Sequence, residues 1–309
     1  MKRVTVILLA AFLIALTVPA FAMEADEAPM VKSVLLPPGE EAETDEGGPV
    51  LPDPAQLEAG EQAGPELDPT TQQAGDVQLP EADEDGTVPE VIMTLEKPAL
   101  PLVGVKIGID PGHQAHGNNE RETVAPNSSQ TKAKVSSGTS GVATGIAEYV
   151  TVLDISLKLR DALLEQGAEV YMTRESHDVN ISNQERAKML NDAGVDLMLR
   201  IHCDGAGNRS KHGIALYCSR SNSIAGESRR AAEAILPAVC AATGAKNNGI
   251  VSNDDYTGQN WATVPCIMVE CGFMSNPEED RLLNDEAYQQ KLAVGLTQGI
   301  VDYIAIRDE

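Results

Sequence analysis

Strand-like and helix-like segments alternate over the last two thirds of this 309-residue chain. Short apolar runs alternate with longer segments in which apolar residues recur every three or four positions. The pattern predicts strands at residues 102–110, 168–174, 196–204, 213–219 and 265–271, and helices at residues 148–167, 182–194, 224–243 and 286–304. Such an alternation is typical of a mainly parallel sheet with helices on both faces. We therefore expect a single α/β domain over residues 101–309.

Residues 23–100 have a composition that does not support a packed core. They hold 20 of the 47 Asp and Glu residues, 11 of the 18 prolines and no aromatic residue. Their net charge of −18 is most of the chain's −24. A segment of this kind buries too little apolar surface to offset its conformational entropy. We expect a disordered acidic linker that serves as a spacer or recruits a partner. Its charge argues against a partner that is a nucleic acid.

Residues 1–22 are typical of a secretory signal. Lys2 and Arg3 precede an apolar run at residues 4–18, and small residues suited to cleavage follow at residues 19–22. The apolar run has about 15 residues, whereas a membrane-spanning helix needs about 20. We expect the protein to be secreted. The alternative is an uncleaved membrane anchor, which is the only membrane association that we expect.

The five cysteines do not form a recognisable metal or redox motif, because no CxxC pair occurs. Cys266 and Cys271 share one predicted strand, where a rise of about 3.3 Å per residue separates them by about 17 Å. That distance is too long for a disulfide. We expect most of the cysteines to be buried as small apolar side chains.

Chemically useful side chains follow the ends of three predicted strands. His113 lies in the loop after the first strand, His202 lies near the end of the third, and Glu270 lies near the end of the last. Ligands of open α/β sheets bind at the carboxyl ends of the strands. Glu148, at the start of the first helix, is the natural fourth member. Two histidines and a carboxylate are a donor set for hydrolytic zinc.

Each of these residues also has an ordinary structural interpretation. A histidine at a strand end is often a satisfied core residue, and Glu148 alone would interact with the dipole of its helix. Glu270 alone would be half of a buried ion pair.

Five motifs that occur in order are more specific than the spacing of these residues. They are "IGIDPGH" (107–113), "GIAEYVTVLDISLKL" (145–159), "EVYMTR" (169–174, with the later Arg186), "RIHCD" (200–204) and "PCIMVECGFMSNPEE" (265–279). Over about residues 103–305 the chain resembles the zinc-dependent N-acetylmuramoyl-L-alanine amidases of the amidase-3 type, which are cell-wall hydrolases.

The resemblance implies a function and a role for each of the four residues. His113, Glu148 and His202 would bind one Zn²⁺, and Glu270 would be catalytic. The implied partner is peptidoglycan, and the implied reaction is cleavage of the amide between N-acetylmuramic acid and L-alanine by zinc-activated water. The implied location is extracytoplasmic, at the cell wall. The alternatives are a catalytically silent wall-binding or regulatory protein on the same fold and a zinc exopeptidase on a related one.

The chain departs from the family pattern at three places that bear on substrate preference. The loop at residues 114–145 is longer than usual, Arg200 stands where Ser is usual, and Tyr149 replaces a usual Lys.

Other polar and aromatic residues are secondary candidates. Asp110 and Asp204 are predicted to orient the ligating histidines, with loop capping as the alternative. Trp261 and Asn260 are predicted to line the substrate groove, with packing under the loop as the alternative for Trp261. We expect Arg186 to form a structural ion pair.

Overall fold

The helices and strands of the domain largely follow the predicted order. A computed structural model describes residues 99–307 of the chain. In chain order its elements are β1 (Lys106–Pro111), β2 (Asn118–Thr123), β3 (Thr131–Val135), α1 (Glu148–Glu165), β4 (Glu169–Met172), α2 (Asn183–Ala193), β5 (Leu197–Asp204), β6 (Ile214–Ser219), α3 (Ala225–Thr243), β7 (Asn247–Asn253), α4 (Thr257–Trp261), β8 (Cys266–Phe273), α5 (Pro277–Leu283) and α6 (Glu286–Arg307).

Six of the strands form one mixed sheet in the order β4-β1-β5-β8-β6-β7. Four neighbouring strands, β4, β1, β5 and β8, are parallel to one another. Strand β6 is antiparallel to β8, and β7 is parallel to β6. The predicted single α/β domain with a mainly parallel sheet is therefore confirmed. Because β6 runs opposite to β8, its amino end lies at the edge of the sheet where β8 ends, and Ala215 pairs with Glu270.

The two faces of the sheet differ in chemistry, as the sequence of β5 illustrates. One set of its alternate side chains is buried in the main apolar core with residues of α1, α3 and α6: Leu197, Leu199, Ile201 and Cys203. The other set begins with Met198 and continues with three polar residues: Arg200, His202 and Asp204. Successive strand residues point to opposite faces. The polar residues therefore gather on the face that α2 and α4 partly cover.

The five cysteines behave as predicted. All are free thiols; Cys240 is half-buried, and the other four are buried. They fill the core as small apolar side chains.

Five elements lie where only loops were expected. β2 and β3 form an antiparallel hairpin inside the long polar loop, and β7, α4 and α5 are also additional. The hairpin strands "NNERET" and "TKAKV" lack apolar alternation, and α4 and α5 are too short to show helical periodicity. The first strand begins at Lys106 rather than at residue 102, because residues 101–104 form a turn that contains Gly104 at φ 80°.

Local capping signals mark the ends of α2, which the sequence places at residues 182–194. The Ser182 side chain accepts the backbone N–H of Glu185, and the Glu185 side chain accepts that of Ser182. The helix ends at Gly194, whose φ of 62° is left-handed.

The expected signal sequence (residues 1–22) and all but the last two residues of the expected linker (residues 23–100) lie outside the described residues. Within residues 99–307, no helix combines the length and the apolar character needed to cross a membrane.

Helices α3 and α6 approach closely because two glycines of α6 face α3. A Cβ atom at Gly299 would lie 2.5 Å from the Cα of Ile235, and one at Gly295 would lie 2.7 Å from the Cα of Val239. Both neighbours are backbone atoms, which cannot rotate away as a side chain can. The close approach lets both helices cover the apolar face of the sheet and so supports the strands that carry the polar face.

We expect Gly299→Ala to lower the free energy of unfolding by about 1–3 kcal/mol, because the added methyl group overpacks this contact. Gly226→Ala is the matched control. Gly226 is an exposed residue of α3 with open space at its Cβ position. There alanine should be neutral or stabilise by up to about 1 kcal/mol through helix propensity. Urea denaturation of both variants measures the difference, and equal effects would contradict this account.

Candidate metal centre and active site

The three predicted metal ligands meet at the carboxyl edge of the sheet. His113 lies in the loop after β1, Glu148 is the first residue of α1, and His202 lies near the end of β5. The Nε2 atom of His113 is 3.1 Å from Oε1 of Glu148 and 3.1 Å from Nδ1 of His202. The same Oε1 and Nδ1 atoms are 3.2 Å apart. The three ligand atoms form a nearly equilateral triangle.

The size and chemistry of this triangle fit a zinc ion. Bonds of about 2.0–2.1 Å to zinc place neighbouring ligand atoms of a tetrahedron about 3.3 Å apart. The observed separations of 3.1 and 3.2 Å are close to that value. Two imidazoles and one carboxylate also leave the fourth position of a tetrahedral ion open, as in hydrolytic zinc sites. Among residues 99–307, one cluster of three or more His, Cys, Asp or Glu side chains is close enough to hold a metal ion, and it consists of these three residues.

Burial and neighbouring groups keep His202 and Glu148 in the protonation states that bind a metal. Burial lowers the pKa of His202 to about 4, so its imidazole is neutral at pH 7. Burial by itself would raise the pKa of Glu148, but the neighbouring His113 and His202 outweigh it and hold the pKa below its usual range. A neutral imidazole and an ionised carboxylate are the forms that donate electron pairs to a metal.

Backbone groups orient two of the ligands. Nδ1 of His113 lies 2.9 Å from the carbonyl oxygen of Ser136, to which it donates when Nε2 is the unprotonated nitrogen facing the triangle. The carboxylate of Glu148 accepts the N–H of Thr139 on Oε2 at 3.0 Å and the N–H of Cys203 on Oε1 at 3.1 Å. The segment that follows β3 therefore positions both His113 and Glu148.

Two glycines leave room for the ligand side chains. A Cβ atom at Gly112 would lie 2.4 Å from the His202 ring, and one at Gly138 would lie 2.7 Å from Oε2 of Glu148. Gly138 also has a φ of 82°, which disfavours other residues. Any larger residue at either position would displace a ligand.

Glu270 lies beside the triangle on the same face of the sheet, where it is the register partner of His202. The residue is only 8% exposed, and its Oε2 atom is buried without a hydrogen-bond partner among the described residues. Burial, followed by the charges of Asp204 and Glu148, raises its pKa well above the usual range. A carboxyl group with a free oxygen and a raised pKa has the properties of a proton acceptor.

Asp110 holds a buried charge network and does not contact a ligating histidine. Its Oδ1 atom accepts hydrogen bonds from Arg186 at 2.9 Å and Thr173 at 2.6 Å, and its Oδ2 atom accepts one from Arg200 at 2.8 Å. The predicted ion pair of Arg186 is therefore present. The predicted histidine contact of Asp110 is wrong, because the two guanidinium groups and the hydroxyl of Thr173 occupy its carboxylate.

The charge network also sets the pKa of Asp110. Burial would raise that pKa, but Arg186 and Arg200 outweigh it and lower the pKa far below the usual value. The stabilisation from this carboxylate is therefore fully present above the unfolded pKa of about 3.9 and is lost as the pH falls towards the folded pKa.

Two buried arginines hold the loop that carries His113. Arg186 donates to the carbonyls of Pro111 and His113 at 2.8 and 2.9 Å. Arg174 donates to the carbonyls of Pro111 and Gly112 at 2.9 and 2.8 Å. His113 has a positive φ of 59°, which is uncommon for a residue with a side chain. This role of the two arginines is not predictable from the sequence, because their acceptors are backbone carbonyls that no motif records.

Asp204 is a half-buried residue at the end of β5. The backbone N–H of Gly205 favours its ionised carboxylate, in line with the loop-capping alternative, and its role in orienting a histidine stays a prediction. Burial, opposed by that N–H group, raises the pKa of Asp204.

Trp261 and Asn260 pack against the hairpin. The indole N–H of Trp261 donates to the carbonyl of Thr123 at 2.9 Å, and the Lys188 ammonium lies 5.0 Å from the ring centroid. The Asn260 amide donates to the carbonyl of Val124 at 3.0 Å. Their polar groups are thus used in holding the hairpin, which agrees with the packing alternative for Trp261. The groove role of both residues stays a prediction.

We expect Asp110→Asn to lower the free energy of unfolding by about 3–5 kcal/mol, because it leaves two buried guanidinium groups without their carboxylate. Asp161→Asn is the control. The Asp161 side chain is 61% exposed and pairs with Arg160 at 2.8 Å. Its loss should change stability by at most about 1 kcal/mol. Denaturation at pH 7 measures both, and similar small effects would contradict a structural role for the network.

Comparisons with known proteins agree with this geometry. Residues 107–302 match the Amidase_3 family, described as N-acetylmuramoyl-L-alanine amidase. The amidase LytC of Bacillus subtilis is 28% identical over 203 residues, which are 66% of this chain but only 36% of LytC. The amidase Rv3717 of Mycobacterium tuberculosis is 29% identical over 218 residues, covering 67% of this chain and 90% of Rv3717.

A solved structure extends the likeness to the fold. The crystal structure of the amidase Ami1 from Mycobacterium smegmatis superposes with a TM-score of 0.62 at 26% identity and covers 66% of this chain and 99% of Ami1. The chain spans about a third of the length of LytC and nearly all of Rv3717 and Ami1. With a match that extends over most of the described residues, this chain belongs to the Amidase_3 family of N-acetylmuramoyl-L-alanine amidases.

Proposed function

We propose that this chain hydrolyses the amide between N-acetylmuramic acid and L-alanine in peptidoglycan, with one Zn²⁺ bound by His113, Glu148 and His202 and with Glu270 as the general base. Family membership supports the amidase activity. The observation that carries the assignment of residues is the triangle of ligand atoms beside the unpartnered carboxyl group of Glu270.

The ligands have the states that the proposed role requires. His113 would donate through Nε2 because its Nδ1 faces the carbonyl of Ser136. His202 would donate through Nδ1, and its low pKa keeps that ring neutral. When bound, zinc would supply a Lewis acid that polarises the scissile carbonyl and lowers the pKa of water.

Glu270 would move the proton in the reaction. Its free Oε2 atom takes a proton from the attacking water and passes it to the nitrogen of the departing L-alanine. Its burial limits exchange of that proton with solvent. The alternative of a catalytically silent protein would be favoured by the loss of one of these four residues, and all four are in place.

We also propose the location and layout of the whole chain. Residues 1–22 would direct secretion, residues 23–100 would form an acidic spacer, and residues 101–309 would form the catalytic domain that acts at the cell wall. The net charge of −8 over residues 101–309 argues against a nucleic acid as the target.

Mass spectrometry of digested peptidoglycan tests the proposed reaction. The expected products are free stem peptides that begin with L-alanine and glycan strands without peptide. Cleavage within the peptide or between the sugars would overturn the assignment.

We expect His113→Ala and His202→Ala each to abolish stoichiometric zinc binding and activity, because each removes one of three protein ligands. The full chain should carry about one zinc after dialysis, lose activity with a chelator and regain it with added zinc. His212→Ala is the control, because His212 is exposed and lies outside the triangle. One zinc per chain in the double variant would rule out these ligands.

We expect Glu270→Gln to keep zinc while turnover falls by about 10²–10⁴-fold, because the amide cannot accept the proton. Glu279→Gln is a matched control, since Glu279 is also 8% exposed but accepts the backbone N–H groups of Gly213 and Phe273. That variant should lose stability but keep its turnover per folded molecule. Turnover, zinc content and melting temperature are measured on one preparation of each. A Glu270→Gln enzyme that is unstable but fully active would remove Glu270 from the mechanism.

A further inference from the structure

Two tyrosines form an aromatic pair near the proposed active site. Tyr217 is a residue of β6, and Tyr256 immediately precedes α4. Their ring centroids are 5.6 Å apart with an interplanar angle of 80°, an edge-to-face arrangement that stabilises aromatic pairs. Both residues are half-buried. The pair is therefore held in place and still accessible.

The strand pairing places Tyr217 on the same face of the sheet as Glu270. β6 is antiparallel to β8, where Ala215 pairs with Glu270 and Tyr217 pairs with Met268. Directly opposed residues share a face, and so do residues two apart on one strand. The Tyr217 side chain thus lies on the catalytic face, two residue pairs along the strands from the pair of Ala215 with Glu270.

The pKa values of both phenols are raised, and the charge of Glu270 contributes to each shift. Burial, followed by the charges of Glu270 and Asp204, raises the pKa of Tyr217 to about 12. Burial and the charge of Glu270 also raise the pKa of Tyr256. Both phenols are therefore protonated at neutral pH and can donate a hydrogen bond.

Neither phenol hydroxyl has a hydrogen-bond partner among residues 99–307. The other partly or fully buried tyrosines include two with a carboxylate partner: Tyr171 donates to Glu169 at 3.1 Å, and Tyr303 donates to Glu227 at 2.8 Å. A partly buried hydroxyl beside the catalytic face of the sheet and without a protein partner is suited to a ligand.

We propose that Tyr217 and Tyr256 form a substrate-binding wall beside Glu270 and bind the uncharged N-acetylmuramoyl-L-alanyl part of the substrate through ring contacts and hydrogen bonds from both phenols. This inference rests on the proposed amidase function. The rings can pack against the apolar face of a sugar or the methyl group of alanine, and the phenol hydroxyls can donate hydrogen bonds to the amide oxygens.

Binding to an inactive enzyme tests the wall without requiring turnover. The full chain with Glu270→Gln, loaded with zinc, is titrated calorimetrically with N-acetylmuramoyl-L-alanyl-D-isoglutamine. Adding Tyr217→Phe or Tyr256→Phe should raise Kd by about 3- to 10-fold, which corresponds to the loss of one hydrogen bond. Adding Tyr256→Leu, which also removes the ring, should raise Kd by more than Tyr256→Phe does.

Tyr171→Phe is the matched control, because it removes a tyrosine hydroxyl from β4, at the far edge of the same sheet. Its Kd should stay within about twofold of the parent, since its hydroxyl bonds Glu169 and not the cleft. Zinc content and melting temperature are recorded for each variant. An unchanged Kd in both Tyr→Phe variants would overturn the proposal, as would an equal loss of affinity in Tyr171→Phe.

The wild-type digest separates this inference from the proposed function. If wild-type enzyme releases no stem peptides, the amidase assignment fails. If it releases them and both Tyr→Phe variants bind as tightly as the parent, only the tyrosine wall fails.

Discussion

The carboxylate of Asp110 is the interaction on which the catalytic face depends. It lies between two guanidinium groups, one from α2 and one from β5, and all three side chains are almost completely buried. Such a network contributes little net stability, because the desolvation of each charge offsets the attraction. Its effect is on specificity: any arrangement that leaves one member unpaired is strongly disfavoured. Because Arg186 also donates to the carbonyls of Pro111 and His113, the arrangement that satisfies Asp110 is also the one that positions a metal ligand.

Two departures from the family pattern are physically connected. Arg200, which stands where Ser is usual, binds Asp110 and also donates to the Asn183 side chain at 2.8 Å. The Asn183 amide in turn donates to the carbonyl of Lys134 in the hairpin at 2.7 Å. The unusual arginine therefore links the sheet to the unusual loop. A Cβ atom at Gly258 would lie 2.2 Å from the Arg200 guanidinium. The absence of a side chain at this position of α4 therefore leaves room for Arg200.

The sequence predicts those features that depend on short-range patterns. Alternation within β5 separates His202 from the apolar face, and the capping box of Ser182 and Glu185 marks the start of α2 in any tertiary context. The partners of Asp110 could not be predicted, because they arrive from 76 and 90 residues away and a single sequence carries no record of such pairing. The hairpin strands were missed for a related reason: they carry no apolar face, and distant residues hold them. The direction of β6 is also a property of the whole sheet and not of its own sequence.

The way in which the hairpin is attached has a consequence for its evolution. Three of its contacts with α2 and α4 are accepted by main-chain carbonyls, those of Thr123, Val124 and Lys134. Every amino acid supplies that group, so substitutions at these three positions leave the anchors in place. The buried side chain of Glu122, which accepts the N–H of Gln184, is the exception. The segment can therefore diversify its outward chemistry among related enzymes while the catalytic scaffold stays constant, much as a loop on an antibody domain varies over an unchanging framework.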